Sequence, residues 1–240
     1  MTATLRSPEA SAYEARRNRL QTYFNLTAKD TWAQLTSDAP VSKIRATVRA
    51  GRDRMRATLM SWLPRDMHGA SLLDAGCGTG ALAVATARRG ARVLGVDVSA
   101  GLIDVAIDRA PRDLDETRLA FHAGDMLDPT HGAFDYVAAM DSLIHYPAAE
   151  IVRALGMLAD RTRKAIVFTY APQTPALSLM HAAGKLFPRA DRAPAIEPIA
   201  ERRLRDLIAA EPALSHWSIQ RTAQISSGFY ISHALELRRG

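Results

Sequence analysis

The sequence predicts an α/β fold: a doubly wound, mostly parallel sheet with helices on both faces, preceded by a helical arm. Three observations lead there. From Ser71 onward, short apolar runs alternate with helical runs, and that alternation builds a parallel sheet through crossover helices. The first strand–helix junction is the glycine turn Asp74-Ala75-Gly76-Cys77-Gly78-Thr79-Gly80. Its missing Cβ atoms let the backbone approach a ligand, and the helix start offers free N–H groups. Asp97 then ends the second strand, placed to accept hydrogen bonds from ribose hydroxyls. Turn and acid together predict a nucleoside-containing ligand.

The elements follow in order. Residues 9–24 read as a helix with Tyr13, Leu20 and Phe24 near one face. A broken segment from Asn25 to Pro40 contains Trp32. Ser42 can cap a second helix that ends near Leu63, before Pro64. On it Ile44, Val48, Met55, Leu59 and Trp62 form an apolar stripe, with Arg45, Arg49, Arg52 and Arg56 in a row beside it. Strands are expected at 71–75, 91–97, 119–123, 134–140 and 165–170, and helices at 80–89, 100–110 and 148–160. Five prolines fall between Pro172 and Pro198. That stretch is too long for a plain connection and is expected to cap the substrate. A helix at 200–210 precedes two strands, 217–225 and 229–237, joined through Ser226-Ser227-Gly228 as an antiparallel edge hairpin. The result is a seven-stranded sheet. Residues 1–64 are expected to be a helical arm or lid, and 65–240 the ligand-binding domain with its cap insert at about 171–199.

Composition narrows the setting. No run approaches the roughly 20 apolar residues of a membrane span, and the first residues carry no apolar secretory core. Cys77 is the single cysteine, which excludes a disulfide framework and leads us to expect a cytoplasmic protein. The net charge is +6. Residues 1–62 hold 11 Lys/Arg against 5 Asp/Glu, and the remainder holds 20 of each. The excess therefore belongs to the arm. It suits an anionic small molecule, an acidic protein, an anionic lipid surface or nucleic acid, or simply a solvated arginine-rich helix.

The turn reads G-x-G-x-G, not the dinucleotide pattern G-x-G-x-x-G, and it lacks the Lys-Ser/Thr of a P-loop. In order and spacing, residues 70–237 resemble the class I S-adenosylmethionine-dependent methyltransferases, with their Rossmann-like sheet. The resemblance implies S-adenosyl-L-methionine as methyl donor, leaving as S-adenosylhomocysteine. It assigns Asp74, Gly76, Gly78 and Gly80 to the first cofactor motif and Asp97 to the ribose. Asp125 would read the adenine amine, Met126 would pack the ring, and Asp141 would line the methionine and the substrate. No cluster of Asp, Glu and His has ligand spacing, so no protein-bound metal is expected.

Asp141-Ser142-Leu143-Ile144-His145-Tyr146-Pro147 stands where amino-methylating nucleic-acid enzymes carry a D/N-P-P-Y/F signature. Cys77 lies inside the cofactor turn, where it reads as a filler. Both features speak against a nucleic-acid partner. His145, just past the fourth strand, is placed to accept a proton or orient an oxygen, or else to hold a loop. With Tyr23-Phe24-Asn25, Trp32 and the run Val41-Ser42-Lys43-Ile44-Arg45, this segment resembles the magnesium-protoporphyrin IX O-methyltransferases of purple bacteria. That family methylates one propionate of the magnesium porphyrin to give the monomethyl ester in bacteriochlorophyll synthesis. The resemblance implies Tyr23 and His145 as catalytic residues, with Tyr13 the other tyrosine of the arm. It also implies work beside the magnesium chelatase large subunit; peripheral contact with an anionic photosynthetic membrane stays open, since the Arg45–Arg56 row could serve that partner, the membrane surface or neither. The alternative is the same cofactor fold acting on another small molecule, such as a quinone precursor.

Overall fold

The structure, a computed structural model, describes residues 8–25, 42–173 and 195–240. Trp32, Val41 and most of the expected cap insert lie outside the described residues. Two helices come first, α1 (Pro8–Tyr23) and α2 (Lys43–Trp62). Then strands and helices alternate: β1 (Ser71–Ala75), α3 (Ala81–Ala87), β2 (Arg92–Asp97), α4 (Ala100–Arg109), β3 (Leu119–Ala123), β4 (Phe134–Ala139), α5 (Ala148–Ala159) and β5 (Thr162–Tyr170). The chain ends in α6 (Glu201–Ala210), β6 (Trp217–Ser227) and β7 (Tyr230–Arg239).

The seven strands lie in the order β3-β2-β1-β4-β5-β7-β6. The first five run parallel, and β7 pairs antiparallel with both β5 and β6. The winding reverses between β1 and β4, and a doubly wound sheet opens its ligand crevice at the strand ends beside that reversal. Alternate residues point to opposite faces of a strand, so the core divides in two. Leu73, Val137, Ile166, Phe168 and Leu235 pack against α5 and α6 through Ile151, Leu155, Leu204 and Ile208. Leu72, Val93, Ala138, Val167 and Ala234 pack against α2 and α3 through Met55, Leu59, Leu82 and Ala83.

Ser42 caps α2 as expected, its side chain accepting from the Arg45 N–H. The apolar stripe is shorter than its pattern suggested. Ile44 is 55% exposed, and burial begins at Gly51 and continues through Met55, Leu59, Met60 and Trp62. This C-terminal half lies deepest against the sheet, where Gly51 sits over Tyr230, while the Thr47 carbonyl of the first half accepts from the Ser227 hydroxyl at 3.0 Å. β5 starts at Thr162, three residues before the apolar run, because Thr162 pairs with Phe134 while Arg163 and Lys164 face solvent. β6 runs on to Ser227, which pairs with Tyr230. The hairpin turn is therefore Gly228-Phe229, with Gly228 at φ 58°, where glycine escapes the strain a Cβ would add.

Candidate active site

One cavity of about 520 Å³ opens at the carboxyl ends of the strands beside the winding reversal. Its floor is the glycine turn. Gly76 and Cys77 donate their N–H groups to the Val96 carbonyl at 2.8 and 3.0 Å, which draws the turn onto β2. Gly76 has φ 79°, and a Cβ there would stand 2.2 Å from the Ser142 Cβ, so glycine is required. Asp97 fixes the next residues: its carboxylate accepts from the Gly78 and Ser99 N–H groups, each at 2.9 Å. Burial raises the Asp97 pKa above the usual carboxylate value.

Asp74 reaches the cavity from the end of β1, almost fully buried. Burial pushes its pKa up to about 7, with the Asp97 charge adding to the effect. Its Oδ2 is buried with no hydrogen-bond partner. An orphaned carboxylate oxygen costs free energy unless a ligand satisfies it. The two acids and the glycine backbone, open at Gly78, fit an amino-acid nucleoside. Asp74 would meet an ammonium group, Asp97 the ribose, and Met126 an apolar ring face.

Of the expected site residues, Tyr23, Asp74, Gly76, Gly78, Asp97, Met126, Asp141 and His145 line the cavity. Gly80 does not. It serves the packing of the turn, since its φ is 80° and a Cβ would meet the Phe121 ring at 2.7 Å. Asp125 does not line it either. Its Oδ1 accepts from the Tyr13 hydroxyl and the Leu127 N–H, both at 2.9 Å, and its Oδ2 pairs with Arg17 at 2.8 Å. The acid expected to stand open to an adenine is covered by α1. Cys77, expected to be a filler, also lines the cavity: it is part-exposed, its Sγ lies 3.8 Å from the Gly78 carbonyl, and burial pushes its pKa well up.

Tyr23 and His145 line the same cavity. His145 ends a short 3-10 turn, Leu143–His145, directly after β4. Its Nδ1 lies 3.2 Å from the Ala195 carbonyl. A carbonyl can only accept, so Nδ1 bears the proton and Nε2 is left as an acceptor. Burial lowers the His145 pKa below the ordinary imidazole value, outweighing the opposing effects of the Ala195 hydrogen bond and the Asp141 charge. Phe24 meets the imidazole edge-on at 6.1 Å, and Arg16 donates to the His145 carbonyl at 3.2 Å. His145 thus holds a loop and faces the cavity at once. Tyr23 is half-buried, and burial raises its pKa, so it is a neutral O–H donor near pH 7. Tyr13 is committed elsewhere, hydrogen-bonded to Asp125 and stacked on Tyr146 at 5.5 Å.

Other residues complete the surroundings of the site. Arg49, Arg52 and Arg56 of α2 line the cavity, so three of the four arginines of the row face the site, Arg45 excepted. The Asn25 side chain accepts from the Ser99 hydroxyl at 2.7 Å and the Gly101 N–H at 3.3 Å, tying the end of α1 to the start of α4. Phe229 and Tyr230 bring the hairpin to the rim. Among the described residues, no three His, Cys, Asp or Glu side chains gather as a metal site would need.

Two family models match the chain. One is "Magnesium-protoporphyrin IX methyltransferase C-terminus", over residues 139–239, and the other "Methyltransferase domain", over residues 72–165. A magnesium-protoporphyrin O-methyltransferase of Rhodobacter capsulatus is 49% identical over 229 residues, covering 95% of this chain and 99% of its own. The protein of that name from Synechocystis sp. is 30% identical over 219 residues, covering 90% and 94%. The crystal structure of magnesium protoporphyrin IX methyltransferase from Synechocystis PCC 6803 with bound SAH matches with a TM-score of 0.81 at 28% identity, over 94% of this chain and all of that one.

Proposed function

This chain belongs to the magnesium-protoporphyrin O-methyltransferase family, and from that premise we propose that it methylates a propionate carboxylate of magnesium protoporphyrin IX, giving the monomethyl ester. The methyl donor is S-adenosyl-L-methionine, which supplies a methyl group activated on a sulfonium. One observation carries the reading: a single cavity joins the glycine turn and its two acids to Tyr23 and His145.

The residues suit this chemistry. A propionic acid titrates at roughly 4–5 and is ionised near neutral pH, so a strong base is not required. The protein's task is to align one carboxylate oxygen and keep water out, and positioning of that kind supplies much of a rate enhancement. Tyr23 offers a neutral hydroxyl donor and His145 a neutral imidazole. The Tyr23 hydroxyl donates to the carboxylate and orients it without a formal positive charge that would blunt it as a nucleophile, while the His145 Nε2, an acceptor, takes a proton when the acid binds neutral. Asp74, Asp97, Gly76, Gly78 and Met126 hold the cofactor. Asp125 would read its adenine once Tyr13 and Arg17 give up the carboxylate. Residues 1–64 act as an arm over the site. The arginines of α2 draw in a dianionic porphyrin, and the substrate's apolar ring favours hand-over from the magnesium chelatase large subunit. In this reading the protein is cytoplasmic and touches an anionic membrane only peripherally.

The test is to incubate purified protein with labelled S-adenosylmethionine and either magnesium protoporphyrin or metal-free protoporphyrin. Label should appear as the porphyrin ester; folded, cofactor-binding protein that transfers none to the magnesium porphyrin would overturn the proposal. Tyr23→Phe and His145→Ala should each lower kcat by about 10²-fold while leaving cofactor affinity within about twofold. Because burial depresses the His145 pKa, the acid limb of the wild-type rate profile should fall below the ordinary histidine value.

A further inference from the structure

Asp141 is the one non-glycine residue with positive φ, at 57°, among the described residues. A side chain holds that conformation only where its surroundings over-determine it, and such outliers gather at functional sites. The surroundings here come from three other elements. Arg52 of α2 donates to Oδ2 at 2.7 Å. The Tyr230 hydroxyl of β7 reaches the two oxygens at 3.0 and 3.2 Å. Thr169 of β5 accepts from the Asp141 N–H at 2.7 Å and donates to Oδ1 at 3.2 Å. The carboxylate side chain is 5% exposed. These bonds fix the corner at which β4 stops. Ser142 follows, wedged over Gly76, and then comes the turn that ends in His145.

We infer that Arg52 and Tyr230 are positioning residues for methyl transfer, acting through Asp141 to hold the corner from which His145 enters the cavity. This rests on the role proposed for His145. Tyr230 carries no sequence signal and Arg52 only its place in the basic row, while Asp141 lines the cavity as its position suggested and anchors this corner as well. Arg52 also balances the charge of Asp141. The charged and titratable groups around His145 are Asp141 on its own segment, Tyr23, which lines the same cavity, and Arg16 on α1, itself set between Glu150 and Glu197. Of these, the Asp141 charge favours a protonated imidazole and Arg16 opposes it.

The experiment compares Arg52→Gln, Arg52→Lys and Tyr230→Phe with wild type in kcat, porphyrin KM, cofactor affinity and the NMR titration of His145 in the free protein. Arg52→Gln should lower kcat about tenfold with KM and cofactor affinity within about twofold, the signature of lost alignment. It should also raise the His145 pKa, because Asp141 is left unbalanced. Arg52→Lys should restore the titration and recover part of kcat. Tyr230→Phe keeps the ring against Gly51 and should lower kcat by a smaller factor. A fall in melting temperature with unchanged kcat and an unchanged His145 titration would mean a purely structural role and overturn the inference. Turnover insensitive to His145→Ala would instead remove the role proposed for His145, while the free-protein titration would still report whether Arg52 and Asp141 govern that imidazole.

Discussion

Asp74 shows how a single residue can trade stability for binding. Its carboxyl is nearly fully buried with one oxygen unpaired, and its pKa stands at about 7, above its unfolded value. A carboxyl raised on folding stabilises the folded chain only while protonated. The free protein should therefore lose stability as pH rises from about 4 to about 7, and then level off. Asp74→Asn removes that cost. The variant should melt about 2–4 °C above wild type at pH 8, for a gain of about 1 kcal/mol, and show no advantage near pH 4. It should also bind S-adenosylmethionine at least about tenfold more weakly, having lost the charge for an ammonium partner. Thermal melts across pH and calorimetric titration check both. At this scale the sequence was most legible where one short segment supplies the geometry. The glycine turn, Asp97 and the run from Asp141 to His145 all announce themselves. Asp125 announced itself too, but its partner Tyr13 lies 112 residues away, and no local pattern encodes that contact.

At the scale of elements, α2 is the helix whose two halves do different work. Its first half leaves Ile44 exposed and turns Val48 and Arg49 to the cavity. Its second half joins the core under Met55, Leu59 and Trp62. The period of the apolar residues predicted the helix and its cap, but could not say where along its length the sheet stops supporting it. The hinge between the halves is Gly51, whose added Cβ would stand 2.5 Å from the Tyr230 ring. Alanine in a helix interior gains about 1 kcal/mol over glycine. Gly51→Ala should nonetheless lower the melting temperature and turnover together, because the gain is outweighed by pushing the helix off Tyr230. A variant that melts higher with full activity would show that the seat is looser than these distances imply.

At the scale of the molecule, the sheet order was readable because alternating strands and helices leave few topologies. The placement of charge was readable only in part. The surplus of arginine in the first quarter of the chain was plain, but its direction depended on how α2 lands. Arg49, Arg52 and Arg56 face the cavity, Arg52 paired with Asp141 and Arg56 with Asp53, so the field these pairs leave acts on what enters it. The porphyrin KM should rise severalfold between roughly 0.05 and 0.5 M salt, as exposed charges are screened. A diester analogue used as a competitive inhibitor should bind with little salt dependence. Equal salt dependence for both would place the attraction elsewhere than on the carboxylates.

The antiparallel hairpin has a consequence for how the protein is made. β7 lies between β5 and β6 although it follows both in the chain, so β6 has nothing to pair with until β7 has left the ribosome. Tyr230, at the first residue of β7, is also the hydroxyl that closes the bonds around Asp141. A nascent chain halted at Gly228 can form the glycine turn and display Asp97, yet its β4 corner lacks a partner. Ligand recognition and catalytic competence should therefore arise at different moments of translation, the second waiting on the last strand described.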